Sequence, residues 1–317
     1  CLTDPPIIGL AGWVTAKRFR APLVMSYQDL FPEVGVLLED FHSDLVDALL
    51  QGVNRFLCRR ATRVVSLGDT MRQRLIDNKG APPDRTLVIS NWADTVAITP
   101  GPRQNAFSSA HGFDHEFVVM HSGNIGLSQS LDTVIDAAAL VRDVPDLRIV
   151  IQGDGVRRQS LQARADALGL TNVTFLPFQP KERLAESFAA ADLFIVSLQR
   201  GLAGYIVPSK LYGILAAGRP FVAAVEDACE VALLTRQHQC GLVSEPGSAR
   251  DLADKMLTFY HDRELTAAYG VNARAAGVGF DRAVQVSRYA ALFREISNVP
   301  AGAVSRAPEK PARVVPS

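Results

Sequence analysis

Short apolar segments alternate along the chain with longer segments in which apolar residues recur at helical spacing. This alternation predicts βαβ units, in which parallel strands are joined by helices. In the first part of the chain, strands are predicted at 21–27, 62–66 and 85–89, and helices at 44–60 and 69–78.

The periodicity breaks between residues 99 and 115, where Pro100-Gly101-Pro102 and Gly112 interrupt it. We therefore predict an N-terminal domain over 1–98, a linker over 99–115 and a second domain over 116–279. In the second domain, strands are predicted at 117–121, 147–152, 173–176, 193–197, 220–225 and 241–243, and helices at 131–141, 157–168, 181–190, 210–217, 230–236, 249–261 and 264–275. A last amphipathic helix is predicted within 280–296, and the proline-containing segment 297–317 is predicted to be a disordered tail.

Composition narrows the class of protein. The 317 residues are enough for about two domains, and 33 basic residues balance 33 acidic ones, which argues against a nucleic-acid coat protein. Apolar stretches such as 7–14 are shorter than the ~20 residues that span a bilayer. The four cysteines form no CxxC pair, so we expect neither a disulfide scaffold nor a zinc site. We expect the protein to work in a reducing compartment. The cysteines are Cys1, Cys58, Cys229 and Cys240.

The most informative feature for chemistry is a predicted strand that runs into the turn Gly123-Asn124-Ile125-Gly126, with a helix after it. Glycines allow a ligand to approach the backbone, and a helix N-terminus favours anions, so a diphosphate fits this turn. An ordinary tight turn explains the same residues. The two readings stay open at this stage.

The next strand ends in a similar turn, Gly153-Asp154-Gly155, followed by Arg157 and Arg158. This turn can frame the same crevice or simply connect two elements. Arg158 stands where the dinucleotide-binding pattern GxGxxG has its last glycine, and the strand is not the first of its domain, so a dinucleotide site is disfavoured.

A third feature begins a short helix at Pro208-Ser209-Lys210-Leu211. Pro208 and Ser209 are typical of a helix start, with Ser209 as a candidate N-cap. Lys210 in the first turn opposes the helix dipole, which is easier to explain if its ammonium group meets an anion. A solvated lysine is the simpler alternative.

In this order along the chain, these features resemble a GT-B glycosyltransferase, in particular the retaining family-4 enzymes that build bacterial capsule, O-antigen and colanic-acid polysaccharides. The segments that carry the resemblance are Gln28-Asp29-Leu30-Phe31-Pro32-Glu33, Ser90-Asn91-Trp92-Ala93-Asp94, Ser122-Gly123-Asn124-Ile125-Gly126, Ala191-Asp192-Leu193, Pro208-Ser209-Lys210-Leu211-Tyr212 and Ala216-Ala217-Gly218-Arg219-Pro220. Family members usually have a further stretch before residue 1, so the resemblance implies an incomplete N-terminal domain, in agreement with a start at Cys1 rather than Met.

The resemblance implies two Rossmann-like domains whose parallel sheets face a cleft. The N-terminal domain would hold the acceptor and the C-terminal domain the nucleotide-sugar donor, and the helix within 280–296 would cross back onto the N-terminal domain. The resemblance also implies a role for each candidate residue, with no metal and no cofactor. The donor diphosphate would lie at Lys210 and at the amides of Gly123, Asn124, Ile125 and Gly126, with Pro208, Ser209 and Leu211 around it. Gly153 and Gly155 would frame the crevice, and the backbone at Phe178 would pass the nucleobase. On the acceptor side, Asp29 would contact the acceptor hydroxyl.

The chain departs from the family pattern at several positions. Many members carry an Arg and a Lys where this chain has Asn124 and Gln129, and two glutamates where it has Tyr205 and Gly213. The second glutamate usually contacts the donor ribose, so Gly213 is the larger departure. A histidine on the acceptor side of many relatives falls near Gln28, and a loop-capping role for the adjacent Asp29 is as reasonable as a catalytic one.

We therefore expect a retaining transferase that moves a sugar from a nucleoside diphosphate to a lipid-linked saccharide at the cytoplasmic face of the membrane. Basic residues beside apolar ones, at 7–20 and 55–63, suit contact with an anionic membrane surface or are a solvated helix face. The alternatives are a sugar-nucleotide 2-epimerase on the same fold and a non-catalytic nucleotide-sugar-binding fragment. No nucleic-acid partner is expected.

Overall fold

The computed structural model describes residues 1–3, 5–38 and 43–297, and it shows two parallel β-sheets with helices packed on them. The predicted α/β class with two Rossmann-like domains is confirmed. The strands are β1 Val24–Ser26, β2 Arg63–Ser66, β3 Thr86–Val88, β4 Phe117–Ser122, β5 Leu147–Gln152, β6 Val173–Leu176, β7 Leu193–Ser197, β8 Phe221–Ala224 and β9 Gly241–Ser244. The helices are α1 Ile8–Phe19, α2 Glu33–Leu37, α3 Asp44–Arg60, α4 Asp69–Lys79, α5 Ala106–His111, α6 Leu131–Leu140, α7 Arg158–Ala167, α8 Leu184–Ala189, α9 Lys210–Ala216, α10 Glu230–His238, α11 Ala249–His261, α12 Arg263–Val278 and α13 Arg282–Ser297.

The larger sheet has the strand order β6-β5-β4-β7-β8-β9, with all neighbours parallel. The chain moves outward from β4 to β6, then returns to the other side of β4 and continues with β7. Ligands of such sheets bind beyond the carboxyl ends of the strands at this point of reversal. The turns after β4 and β7 therefore meet at the expected position of a ligand.

Both faces of this sheet are covered, which explains its continuous apolar strands. Every residue of β4 and β7 is buried. On one face Val118 and Phe194 pack with Leu211 of α9, and on the other Val119 and Ile149 pack with residues of α6 and α11. This packing holds the turn after β4 and the start of α9 on one rigid support.

The smaller sheet has the order β1-β2-β3, again parallel. Helix α13 lies against it, because Leu292 packs with Val24 and Val65 and the Tyr289 hydroxyl lies 3.0 Å from Ser26 Oγ. The end of the chain that the structure describes is thus attached to the N-terminal sheet.

Contacts also join the elements of the two sheets directly. Glu230 of α10 caps the start of α4, since its Oε1 accepts a hydrogen bond from the Met71 amide at 2.8 Å. The Leu30 amide donates to the Tyr205 carbonyl at 3.0 Å. This second bond ties the loop after β1 to the segment that leads into α9.

Three helices lie where the sequence analysis predicted none, namely α1, α2 and α5. Helix α5 lies inside the predicted linker: Asn105 and Ser108 form a capping box at its start, and Phe107 and Phe113 are buried in the core of the larger sheet. The glycines and prolines of this segment were interpreted as breaks, although they flank the helix rather than interrupt it. Residues 298–317 of the predicted tail lie outside the described residues.

The predicted helix over 181–190 is divided in the structure. A 3-10 turn covers Lys181–Arg183, and α8 follows it. Cys58, Cys229 and Cys240 are free and buried, in line with the expected absence of a disulfide scaffold, and Cys1 is free and exposed.

Candidate active site

Two glycine turns lie side by side at the carboxyl ends of β4 and β5. We call residues 123–126 the first turn and residues 153–155 the second turn. Ser122 and Gln152 end their strands at the same level of the sheet, so Gly123 and Gly153 follow as neighbours.

The turns approach so closely that side chains are excluded. A Cβ atom at Gly153 would lie 1.9 Å from the Gly123 carbonyl oxygen, and one at Gly155 would lie 2.4 Å from the Ile125 carbonyl oxygen. Both glycines also have positive φ angles, 145° and 151°, which L-residues rarely adopt. The two turns therefore pack against each other as one unit.

Hydrogen bonds from the first turn to the end of β5 and to the second turn reduce the number of amides that could bind a diphosphate. The Gly123 amide donates to the Gln152 carbonyl at 2.9 Å, and the Ile125 amide donates to the Asp154 carbonyl at 2.8 Å. These two amides are therefore already satisfied. Among the hydrogen bonds of the described residues, the amides of Asn124 and Gly126 have no acceptor in the protein, so the candidate set narrows to them.

Lys210 reaches the first turn from the start of α9. A Cβ atom at Gly123 would lie 3.3 Å from Lys210 Nζ. The ammonium group donates to Gln129 Oε1 at 2.6 Å and lies 3.3 Å from His121 Nε2. Burial of the group lowers the pKa of Lys210 to about 7.

His121 is fully buried at the end of β4. Burial first, and then the neighbouring Lys210 charge, lower the pKa of His121 well below its usual value. A neutral ring can accept a hydrogen bond at Nε2, which places its own proton on Nδ1. Lys210 is consequently held by two neutral acceptors.

The other candidate residues at the start of α9 differ in how far they are exposed to solvent. Pro208 and Leu211 are buried, and Ser209 is exposed. The predicted N-cap bond of Ser209 is absent, because Ser209 already has helical backbone angles, whereas a capping residue normally has an extended conformation.

The two arginines behind the second turn have structural partners. Arg157 forms an ion pair with Asp132, with 2.8 Å between nitrogen and oxygen. Arg158 donates to the carbonyls of Gly153 and Leu176 and so fixes the second turn against β6. Phe178 follows β6 with 55% of its surface exposed.

Asp29 lies in the loop after β1 and is half-buried. This loop is held by several bonds: besides Leu30 to Tyr205, Asn54 Nδ2 donates to the Phe31 carbonyl at 2.7 Å. Asp29 thus lies in the loop at the carboxyl end of β1, next to the segment that leads into Lys210.

The two positions at which the family often has glutamate are occupied by packed groups. The Tyr205 ring lies under the Arg74 guanidinium at 4.1 Å, and its hydroxyl accepts from Arg74 Nη1 at 3.0 Å. A Cβ atom at Gly213 would lie 3.0 Å from the ring of Phe188. A glutamate at Gly213 would therefore require Phe188 to move.

Sequence reasoning missed the contacts of Gln129 and His121 with Lys210. Gln129 had been noted as a departure from the family pattern. No local signal connects them with a lysine 81 or 89 positions away in the chain.

The described residues contain no group of three His, Cys, Asp or Glu side chains that could hold a metal ion. The His111 ring lies beside Phe107 and Phe113, with 4.6 and 5.6 Å between ring centroids. No helix in the described part of the chain has the length and apolar character to cross a bilayer.

Comparisons with known proteins agree with this architecture. The family model "Glycosyl transferases group 1" matches residues 103–276, and the model "Glycosyl transferase 4-like domain" matches residues 1–92. A crystal structure of Anabaena Alr3699/HepE in complex with UDP has a TM-score of 0.77 and 22% sequence identity, over 90% of this chain and 76% of that chain. At this identity the likeness establishes the GT-B type of fold.

Two curated relatives illustrate the range of the family. The chain is 29% identical to D-inositol 3-phosphate glycosyltransferase of Nocardia farcinica, over 86% of this chain and 61% of that protein. It is 30% identical to the putative colanic acid biosynthesis glycosyl transferase WcaI of Escherichia coli, over 54% of this chain and 42% of that protein. The chain thus spans less than two thirds of either relative. Because the group 1 model matches more than half of its residues, the chain belongs to the Glycosyl transferases group 1 family.

Proposed function

We propose that this chain is a retaining glycosyltransferase that moves a sugar from a nucleoside diphosphate to a lipid-linked saccharide during the synthesis of a cell-surface polysaccharide. The observation that carries the proposal is the Lys210 ammonium group. It lies beside the first turn at the reversal point of the larger sheet, and its partners there are neutral. Such a cation is suited to an anion that arrives as a ligand.

The diphosphate of the donor would accept hydrogen bonds from the amides of Asn124 and Gly126 and from Lys210. As the bond between the sugar and the diphosphate breaks, negative charge develops on the leaving oxygen. Fixed donors at that oxygen stabilise the transition state more than the ground state, which is electrostatic catalysis. No metal is required for this stabilisation.

Retention follows from attack on the same face from which the diphosphate leaves. The acceptor oxygen forms its bond to the sugar carbon, and its proton passes to an oxygen of the departing phosphate. Asp29, on the N-terminal sheet, would contact the acceptor hydroxyl, and the exposed Phe178 would lie along the nucleobase.

The comparisons favour this donor class and leave two acceptor classes in view. Alr3699/HepE was crystallised with UDP, so a related fold binds a nucleoside diphosphate. WcaI is named for colanic acid biosynthesis and the Nocardia relative for D-inositol 3-phosphate. We favour a lipid-linked saccharide over a soluble acceptor because of the surface formed by α1 and α3.

This surface, which we call the α1–α3 face, combines apolar and basic side chains. Helices α1 and α3 contact each other through Trp13 and Phe56, whose ring centroids lie 4.9 Å apart. Phe19 and Leu45 are 71% and 82% exposed. The other exposed apolar residues there are Ile7, Ile8, Leu10, Val14, Val46 and Leu49, and the exposed basic ones are Lys17, Arg18, Arg20 and Arg60. Arg55 and Arg59 are also exposed but lie beside the end of α4. Apolar residues with basic neighbours bind anionic bilayers, so we propose peripheral contact with the cytoplasmic membrane face.

Calorimetric titration with UDP, GDP and ADP tests the donor site. We expect micromolar binding of one nucleotide and a loss of about tenfold or more in Lys210→Ala, because a hydrogen bond to a charged group is removed. Lys255→Ala is the matched control, since this lysine lies on α11 beside Asp251 and should leave the affinity unchanged. A folded chain that binds none of the three nucleotides would contradict the proposed donor site.

Product analysis with the sugar nucleotide of the preferred base separates transfer from epimerisation. A free nucleoside diphosphate and a new glycoside support the proposal, whereas an epimerised sugar nucleotide would support the 2-epimerase. Both products are resolved by chromatography with mass detection.

Vesicle sedimentation tests the α1–α3 face. We expect the chain to sediment with vesicles that contain an anionic phospholipid, and Leu45→Ser with Leu49→Ser to reduce the bound fraction severalfold, because exposed apolar area drives insertion into the interface. The control is Val271→Ser, which removes a 70% exposed apolar residue from α12. Equal sedimentation of both variants would exclude this face as the membrane contact.

A further inference from the structure

Gln129 is built into the site rather than placed at its edge. Its side chain is 7% exposed, and its backbone carbonyl accepts a hydrogen bond from the Ser197 hydroxyl at the end of β7. It therefore connects the segment after β4 with the end of β7, the strand that precedes Lys210 in the chain. Gln129 also ends the 3-10 turn Leu127–Gln129, so its position is fixed from both sides.

The orientation of the Gln129 amide follows from its two neighbours. Its Nε2 donates to Ser128 Oγ at 3.2 Å, which leaves Oε1 to accept from Lys210 at 2.6 Å. The next residue, Ser130, has a φ of 47°, a left-handed conformation that is unfavourable for residues other than glycine. Strain of this kind persists where the surroundings require a particular backbone direction. The conformation of Ser130 turns the chain from Gln129 into α6.

We propose that Gln129 is a positioning residue that, together with His121, holds the Lys210 ammonium group over the first turn in readiness for the donor diphosphate. The proposal rests on the proposed function of the same site. It assigns the positive charge of the site to the start of α9 and a neutral, orienting role to position 129. Two neutral acceptors orient the ammonium group without cancelling its charge.

A purely structural amide would have different neighbours. In the described part of the chain, Gln285 is such a case: it is fully buried, and its Nε2 donates to the Gly279 carbonyl at 2.8 Å. Gln129, by contrast, gives its oxygen to a cation that borders a turn with two unengaged amides. Among the residues that the structure describes, the groups that face Lys210 are His121, Gln129 and Gly123, and none of them carries a negative charge.

The test is calorimetric titration of UDP, GDP and ADP between pH 6 and 9 with a set of variants. Gln129→Met should weaken binding of the preferred nucleotide about tenfold, because the ammonium group loses its orienting acceptor. Gln129→Glu should also weaken binding and flatten its pH dependence, since a carboxylate would neutralise Lys210 and raise its pKa. Gln285→Met is the matched control for the loss of a buried glutamine amide.

A charge exchange keeps the test informative even if single variants are unstable. Lys210→Gln alone should lose most of the affinity, and Lys210→Gln combined with Gln129→Lys should recover at least part of it, because a cation and an amide again face each other over Gly123. Folding of each variant is checked by circular dichroism.

The outcomes separate this inference from the proposed function. The positioning role is refuted, and the donor site stands, if Lys210→Ala weakens binding but two other results hold. These are that Gln129→Met binds as well as Gln285→Met, and that the charge exchange binds no better than Lys210→Gln alone. If the unaltered chain binds none of the nucleotides, the proposed function itself fails.

Discussion

Two lysines, one in each domain, lie in opposite environments. Lys79 at the end of α4 is 1% exposed, and its ammonium group lies 2.7 Å from both carboxylate oxygens of Glu33. It also donates to Gln51 and to the Phe31 carbonyl. Burial lowers the pKa of Lys79, and Glu33 opposes that effect. Its charge is therefore balanced within the protein.

Lys210 has no such balance. Within the described residues its hydrogen-bond partners are the neutral groups of Gln129 and His121, and burial lowers its pKa to about 7. A cation that is removed from water without a counter-charge lowers the stability of the folded state. This difference between the two lysines is the basis of the proposal that a ligand supplies the counter-ion of Lys210.

The largest expected effect concerns Lys79. Lys79→Met leaves the Glu33 carboxylate without its main partner, so we expect the free energy of unfolding to fall by about 3 kcal/mol. Urea denaturation measures the loss. Adding Glu33→Gln to this variant should recover part of the stability, and the nucleotide affinity of the folded variant should stay within about twofold of the unaltered chain. A stable Lys79→Met variant would remove the contrast between the two lysines.

Lys210→Met should have the opposite effect and stabilise the folded state. Because the pKa of Lys210 is lowered in the folded state, the unfolded chain binds more protons between pH 7 and its own pKa of about 10.4, so stability rises with pH in that window. The charged form destabilises the fold fully below pH 7. We expect Lys210→Met to raise the melting temperature at pH 6 by about 2 °C and to lose this advantage towards pH 10. Thermal unfolding followed by circular dichroism tests the trend, and a lower melting temperature at pH 6 would contradict it.

Much of the fold could be predicted because parallel strands that are covered on both faces form continuous apolar runs. The strands of the larger sheet, such as β4 and β5, were found within a residue or two of their limits. Helices α1, α2 and α5 were missed for a different reason. Their apolar patterns are short or stand next to proline and glycine, and tertiary packing of residues such as Phe107 stabilises them.

The candidate site was predictable where chemistry is local. Two glycine turns after strands and a lysine in the first turn of a helix can be recognised without a structure. The partners of Lys210 could not be recognised, because strand order brings Gln129 and His121 to it across long separations in the chain. The same is true of the Gly123 and Ile125 amides, which donate to the end of β5 and to the second turn instead of remaining available to a ligand.

The most direct test of the account is the number of protons taken up when the preferred nucleotide binds at pH 8. Calorimetry in buffers of different ionisation enthalpy gives this number. Without a ligand, Lys210 has a pKa of about 7, so it is largely neutral at pH 8 and must take up a proton to bind a diphosphate as a cation. The nucleotide itself contributes little to the proton count, because its terminal phosphate has a second pKa of about 6 and is already ionised. We predict uptake of most of one proton by the unaltered chain and none by Lys210→Arg, whose guanidinium is always charged. Binding by the unaltered chain without proton uptake, and with the same affinity at pH 6.5 and pH 8, would contradict the assignment of Lys210 as the cation of the donor site.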